Sequence, residues 1–194
     1  MSTATTAATE TTESSALYSR LLGPAWLELD PAVRRAHVAG TVATGWFTID
    51  DRGGVVARVA RWAVRLPSPG TACETRLVIV AEADAERWTR TFRDWTLVTT
   101  QRGLPDGRLA ERFGIVELRF RLRVTDGALT YEQSDAAMAF GRWRVPIPRW
   151  LSPRVEARER RAEHGDGSHV RVVVRTPIVG VLLAYEGELA RVPA

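Results

Sequence analysis

The stretch "ERWTRTF", Glu86 to Phe92, places an arginine between two aromatic residues. If the stretch is a β-strand, successive side chains point to opposite faces, so Trp88, Arg90 and Phe92 share one face. A cation on an otherwise apolar face is costly unless it is paired. Arg90 is therefore predicted to be either one partner of a structural ion pair or an anchor for an anionic or carbonyl-bearing ligand.

Two glutamates raise the same question. Glu111 in "GRLAERFG" and Glu159 in "RVEARER" each share a strand face with apolar residues. One interpretation is a buried ion-pair cluster, because an arginine can bind a carboxylate through two parallel hydrogen bonds. In the other, Glu111 or Glu159 serves as a general acid or base while Arg90 holds the ligand. Tyr131 and Tyr185 are expected to add hydroxyl donors.

The patterns of other common sites are missing or weak. The sequence has neither the GxxxxGK[ST] nor the GxGxxG pattern of nucleotide-binding loops, so no nucleotide cofactor is predicted. His164 and His169 flank Asp166 in "EHGDGSH". These residues could hold a metal, but a polar hairpin turn explains their presence equally well. His37 is interpreted as a histidine at a helix C-terminus or core edge rather than a base. Cys73 is the only cysteine, so neither a disulfide nor a metal site is predicted.

The composition indicates a globular protein without a nucleic-acid partner. The formal net charge is +4 and all 27 basic residues are arginines, yet arginine alternates with apolar residues in "VELRFRLRV", which is typical of a solvated sheet face. No apolar run reaches the roughly 20 residues needed to span a bilayer. The first residues lack the features of a signal peptide, so we expect a disordered tail at 1–13 and a cytoplasmic protein.

The elements that must position these residues are mostly strands. Three short helices are predicted first, in "SSALYSRLLG", "PAWLEL" and "DPAVRRAHV", the last with Asp30 as its N-cap and Pro31 at its first position. From Cys73 onward, Asp-Gly pairs at 106–107, 126–127 and 166–167 predict hairpins. We therefore predict one mainly β (α+β) domain over residues 14–194, a curved antiparallel sheet or barrel of about eight or nine strands. Barrels of this size often hold one small apolar ligand.

One amphipathic helix is predicted near residues 54–66. Its apolar residues recur at helical spacing, and Arg58, Arg61 and Arg65 fall on the opposite side. It is interpreted as a surface helix packed on the sheet, and the alternative is a helix that binds a membrane surface or an acidic partner.

A family resemblance rests on the order of several motifs. The motifs "LYSRLLGPAWLELDPAVRRAH", "ARWAVRLPSPG", "WTRTF", "ERFG", "PIPRWLSPR" and "PIVGVLLAYEGEL" resemble the bacterial family called domain of unknown function 4166, over about Leu17 to Leu189. The family is uncharacterised, so the resemblance implies no activity. Some members carry a dehydrogenase-like nucleotide-binding domain, which this sequence lacks, so no redox chemistry carries over. The positions that match the family pattern are Trp88, Arg90, Phe92, Glu111, Arg112, Gly114, Tyr185 and Gly187.

Three functional hypotheses follow. The first is a cofactor-free protein that binds a small apolar molecule inside the barrel, with Arg90 as the polar anchor. The second is a cofactor-independent enzyme of specialised metabolism, a cyclase, isomerase or dehydratase that uses Glu111 or Glu159 as acid or base. The third is an interaction module that uses the basic helix. Exposed edge strands also leave a homodimer open. The predicted ligand-binding residues are Trp88, Arg90, Phe92, Tyr131 and Tyr185.

Overall fold

A computed structural model describes residues 17–50, 69–93 and 95–192. The predicted tail at 1–13 and the predicted amphipathic helix near 54–66, with its basic stripe, lie outside the described residues. Both stay predictions.

The described chain begins with three short helices, as predicted. The Asp30 side chain accepts a hydrogen bond of 2.8 Å from the backbone NH of Ala32 and so caps the last helix, in which Pro31 is the first residue. The helices are α1 (Leu17–Leu22), a 3-10 helix (Gly23–Glu28) and α2 (Pro31–Ala36).

Eleven strands follow in the residues that the structure describes, and ten of them close into an antiparallel barrel. Their spatial order is β6-β5-β4-β3-β2-β1-β11-β10-β9-β7, and β6 pairs with β7 to close the ring, while β8 lies outside on β7. Their bounds are β1 (Val42–Asp50), β2 (Gly70–Ala81), β3 (Ala85–Phe92), β4 (Trp95–Gly103), β5 (Leu109–Phe113), β6 (Val116–Thr125), β7 (Ala128–Phe140), β8 (Trp143–Pro146), β9 (Arg154–Arg161), β10 (Ser168–Thr176) and β11 (Gly180–Arg191).

The mainly β class and the barrel are confirmed, but the strand count of eight or nine was too low. The short strands β5 and β8 have five and four residues, and strands of that length contain too few alternating positions to stand out in a sequence pattern. The three Asp-Gly turns do join β4 to β5, β6 to β7 and β9 to β10.

The helices cover one end of the barrel, which we call the helix end. The backbone NH of Asp30 donates to the carbonyl of Gly127 in the β6–β7 turn at 3.0 Å. The Arg35 guanidinium donates to the carbonyl of Asp166 in the β9–β10 turn at 3.2 Å. The opposite end, which we call the far end, carries the turns that follow β3, β5 and β10.

The backbones of β1 and β11 approach closely at Gly187. A side-chain carbon placed there would lie 2.2 Å from the carbonyl oxygen of Trp46 on β1. Only glycine fits this contact, which gives a physical reason for the Gly187 position that the family resemblance singled out.

A cluster of ions fastens the outer strand β8 to the barrel. Glu117, on the outer face of β6, is buried and accepts hydrogen bonds of 3.0 Å from Arg102, Arg119 and Arg144. Arg144 belongs to β8 and also pairs with Asp135 of β7. Burial alone would raise the pKa of Glu117, but the three arginine hydrogen bonds outweigh it and hold the pKa below its usual value.

We expect Glu117→Gln to lower the free energy of unfolding by about 2 to 3 kcal/mol near neutral pH, because three arginines lose their shared carboxylate. A lowered pKa stabilises the fold above the pKa of the unfolded state, about 4.3, and this stabilisation is lost as the pH falls through the folded pKa. Urea unfolding of both proteins should therefore show a difference that shrinks on acidification. Glu132→Gln, which breaks the exposed pair with Arg123, is the control and should cost at most about 1 kcal/mol. An equal cost of Glu117→Gln at acidic and neutral pH would contradict the assignment.

Candidate functional site

The barrel interior contains a cavity of about 300 Å³ that is partly open to solvent. Most of its wall consists of aliphatic and phenylalanine side chains that point inward from β4, β6, β9, β10 and β11. The polar residues that line it are Arg90, Thr99, Gln101, Glu111, Tyr131, Arg158, Glu159 and Tyr185. The cavity is thus an apolar space with a small number of convergent polar groups, which is typical of small-molecule sites.

The polarity of the cavity wall changes along the barrel. Strand β9 points Val155, Ala157 and Glu159 inward in sequence, and Glu159 lies nearest the helix end. Strand β4 repeats the pattern from Leu97 at the far end to Gln101 near the helices. Because inward side chains recur at every second residue of a strand, this ordering is already present in the sequence. The cavity therefore has a polar floor at the helix end and apolar walls toward the far end.

Arg90 has both a partner and a cavity beside it. Its Nη1 donates to Thr99 Oγ1 at 3.1 Å and lies 3.5 Å from Glu111 Oε1. Its guanidinium carbon lies 5.0 Å from the centre of the Trp88 ring, within range of a cation–π contact. Burial by itself lowers the pKa of Arg90, but Glu111 and the nearby tyrosines raise it above its ordinary value, so the guanidinium stays charged. The ion pair has one contact rather than two parallel bonds, which leaves other donors of Arg90 for a ligand.

Glu159 pairs with a histidine rather than with Arg90. Its Oε2 lies 3.4 Å from Nε2 of His37, which is fully buried at the C-terminal cap of α2. His37 Nδ1 donates to the carbonyl of Val33 at 2.9 Å, which fixes Nε2 as the nitrogen that faces the site. The interpretation of His37 as a residue at a helix C-terminus and in the core agrees with this position. The structure does not place both glutamates beside Arg90. Glu111 pairs with Arg90, and Glu159 pairs with His37.

A chain of hydrogen bonds links this pair to the floor of the cavity. The Tyr131 hydroxyl lies 3.0 Å from His37 Nε2 and 3.0 Å from the Tyr18 hydroxyl, which donates to Gln101 Oε1 at 2.7 Å. Burial raises the pKa of Tyr18 and Tyr131 well above the usual value, so both hydroxyls keep their protons. His37 Nε2 faces two groups at once, the Tyr131 hydroxyl at 3.0 Å and the Glu159 carboxylate at 3.4 Å.

The structure brings five of the predicted site residues together around the cavity. They are Arg90, Glu111, Tyr131, Glu159 and Tyr185. Burial also raises the pKa of Tyr185, so it too remains a neutral hydroxyl.

The other two predicted ligand-binding residues lie outside the cavity lining. Trp88 is buried behind Arg90, and its Nε1 donates to Glu86 Oε2 at 3.1 Å. Phe92 packs in the core against Tyr185, with ring centres 5.3 Å apart. Both therefore support the wall that holds Arg90 and Tyr185.

Three further residues at the site, Tyr18, Thr99 and Gln101, were not predicted from the sequence. Thr99 and Gln101 follow Leu97 at alternate positions of β4, which is a signal in the sequence. Tyr18 has no comparable signal, because only the fold brings α1 to the floor of the cavity. Within ranges 17–50, 69–93 and 95–192, no group of three or more histidine, cysteine or acidic side chains is placed to hold a metal. No helix in the same ranges is long and apolar enough to cross a bilayer.

Comparison with known proteins shows the fold and the family. A solved structure with a similar fold is a protein of unknown function from the DUF3598 family of Nostoc punctiforme PCC 73102, with a TM-score of 0.50 and 12% identity. The match covers 86% of this chain and 52% of that chain, so this protein spans about half of its length. The search of the curated proteins gives no significant match. The family model of a domain of unknown function, DUF4166, matches residues 29–189. Because this match covers most of the chain, the protein belongs to the DUF4166 family, as its ordered motifs predicted.

Proposed function

We propose that this protein binds a small, largely apolar, uncharged molecule inside the barrel, with the polar group of the ligand at the floor. The observation that carries the proposal is the apolar cavity of about 300 Å³ with Arg90 and Glu111 side by side in its wall. One water molecule occupies about 30 Å³ in the liquid. By that measure, the cavity of about 300 Å³ would hold a molecule of about ten non-hydrogen atoms.

The charges at the floor favour an uncharged ligand. Arg90 already pairs with Glu111, and Glu159 is a second carboxyl group that lines the same cavity, next to His37. A ligand carboxylate would be a third acidic group in a buried site whose arginine already has a partner, and an unpaired buried charge is expensive. A ketone or alcohol avoids this cost, because a carbonyl can accept from the spare Arg90 donors and a hydroxyl can also donate to Glu111.

The test is calorimetric titration with three ligands of nearly equal size: nonan-2-one, nonan-1-ol and octanoate. We expect the ketone and the alcohol to bind inside the barrel and octanoate to bind at least about tenfold more weakly, the factor that corresponds to 1.4 kcal/mol. Glu111→Gln is the informative variant, because removal of one carboxylate should narrow the gap between octanoate and the neutral ligands.

Two outcomes would overturn parts of this proposal. Binding of none of the three ligands would contradict small-molecule binding of this kind. Tighter binding of octanoate than of the neutral ligands would contradict the charge argument and would favour the alternative sequence-based hypothesis of an anionic ligand.

A second candidate is a cofactor-independent enzyme, and two contacts of His37 favour it. Glu159 and Tyr131 both reach into the cavity and both contact His37, so a proton could pass between a ligand and this cluster. If the cluster catalyses proton transfer, nonan-2-one kept in D₂O with the protein should exchange its α-protons, as followed by NMR. Glu159→Gln should then abolish the exchange while Glu111→Gln retains it. Absence of exchange with the wild-type protein would leave binding as the function.

The other sequence-based expectations stay predictions. A cytoplasmic location and the absence of a nucleic-acid partner are two of them. In the described part of the barrel, β8 is the strand with a free edge, so a homodimer would most simply form there. The hypothesis of an interaction module rests on residues 54–66, and charge reversal at Arg58 and Arg61 tests it by loss of partner binding.

A further inference from the structure

The far end of the barrel exposes a group of large apolar side chains, which we call the rim patch. They lie on the β5–β6 turn and on the β7–β8 hairpin, next to where the cavity lining ends. The members of the rim patch are Phe113, Ile115, Phe140, Trp143 and Val145, and all five are exposed. A contiguous exposed apolar patch of this kind marks an interaction site more often than scattered single residues do.

The rim patch continues the apolar lining of the cavity. Phe140 lies directly opposite Trp143 on the hairpin, so the two side chains share one face. Met138 precedes Phe140 by two residues on β7. It lies opposite Val145 of β8 on one side and opposite Val116 of β6 on the other. Val116 lines the cavity. The apolar surface therefore runs without interruption from the interior, across Met138, to the exposed face of the hairpin.

A second exposed tryptophan stands on the next turn. Trp150 is 66% exposed and Trp143 is 67% exposed, unusually high values for so large an apolar side chain. The turn that carries Trp150 is held by hydrogen bonds from the backbone NH groups of Leu151 and Ser152 to the carbonyl of Pro148, both 2.9 Å long. The exposure of Trp150 thus belongs to an ordered turn.

The region is rich in arginine. Residues 136–155, which include the hairpin, the turn and the start of β9, contain four arginines and no acidic residue. Arg144 is neutralised by Glu117 and Asp135 on the outer face of the barrel, so Arg142, Arg149 and Arg154 supply the positive charge of the region. Arg142 also stacks near the exposed Trp143, with its guanidinium carbon 5.4 Å from the ring centre.

We propose that the rim patch docks on the surface of an anionic lipid bilayer. Tryptophan is the residue that prefers the interface between lipid and water, and arginines beside it are attracted to anionic headgroups. The exposed aliphatic side chains Ile115 and Val145 favour a bilayer over a nucleic acid, because bases stack on aromatic rings but gain little from aliphatic ones. Docking in this orientation would turn the far end of the cavity toward the lipid. The proposal goes beyond the binding of a small molecule and does not depend on it.

Vesicle co-sedimentation of the full chain tests this proposal. Two kinds of vesicle are compared, phosphatidylcholine alone and phosphatidylcholine with phosphatidylserine at about two to one. We expect binding to the anionic vesicles that weakens with salt. We expect at least about tenfold weaker binding for Trp143→Ser/Trp150→Ser and for Arg142→Glu/Arg149→Glu.

The matched controls change the same residue types elsewhere on the barrel. Trp46 is 62% exposed on β1 but lies opposite Glu74 and Glu188 on the neighbouring strands. Arg76 is exposed on β2. Trp46→Ser and Arg76→Glu should leave vesicle binding within about twofold of the wild type, because both residues lie on β1 and β2, outside the segment 136–155 that carries the tested tryptophans and arginines.

Three results would overturn the proposal. One is the absence of wild-type binding to anionic vesicles. Another is an equal loss of binding in the rim variants and the controls. The third is binding to single-stranded oligonucleotides under conditions where anionic vesicles are not bound, which would identify a nucleic acid as the partner. Circular dichroism of each exposed-site variant should match the wild type, so that a loss of binding reports on the surface.

Discussion

Ala157→Phe should abolish the binding of nonan-2-one and nonan-1-ol while the protein stays folded. Ala157 lies on the cavity wall, opposite Tyr131 on β7 and Val172 on β10. A phenyl ring there would occupy much of the 300 Å³ cavity. We expect affinity to fall at least about a hundredfold, because the ligand and the ring cannot share the space. The free energy of unfolding should change by no more than about 1 to 3 kcal/mol, the range for added core volume.

The control for this variant sits one residue away. Glu156→Phe adds the same ring to the same strand, but Glu156 is exposed on the outside of the barrel and should leave ligand affinity unchanged. If Ala157→Phe retains full affinity, the ligand does not bind in the interior.

His37→Leu is expected to cause a large loss of stability, about 3 to 5 kcal/mol in the free energy of unfolding. The loss arises because Glu159 would remain buried without the imidazole that pairs with it. Tyr131 and the carbonyl of Val33 would also each lose a hydrogen-bond partner. The double variant His37→Leu/Glu159→Leu removes the buried charge as well, so it should be less destabilised than the single variant.

A double-mutant cycle by urea unfolding measures this coupling. We expect the effects of His37→Leu and Glu159→Leu to be non-additive by at least about 1 kcal/mol, the range for groups in one network. Additive effects would show that His37 and Glu159 do not stabilise each other, and would remove the charge argument for an uncharged ligand at Glu159.

The local features of the site could be predicted from the sequence. Alternation within a strand placed Arg90, Glu111 and Glu159 on inward faces, because a strand alternates its side chains whatever its neighbours are. The Asp-Gly pairs located three turns for an equally local reason. Charge alone indicated both Glu111 and Glu159 as partners of Arg90, and the structure pairs Arg90 with Glu111.

Contacts between residues that are far apart in the chain could not be predicted in the same way. Glu159 pairs with His37, which caps the C-terminus of helix α2 at the helix end of the barrel. Glu117 was expected on a solvated face, and it does face outward, but Arg144 of the outer strand β8 covers it. Trp88 and Phe92 lie outside the cavity lining because curvature of the barrel, which alternation does not describe, decides which inward side chains reach the cavity and which are packed behind it.

The most direct measurement is diffraction from crystals of the protein soaked with 9-bromononan-2-one, whose bromine scatters anomalously. The account predicts one bromine peak inside the barrel toward the far end, near Val155 and Val174, with the carbonyl oxygen within hydrogen-bond distance of Arg90. A barrel interior without bromine, or a bromine at the polar floor beside Glu159 with the carbonyl at the far end, would contradict it.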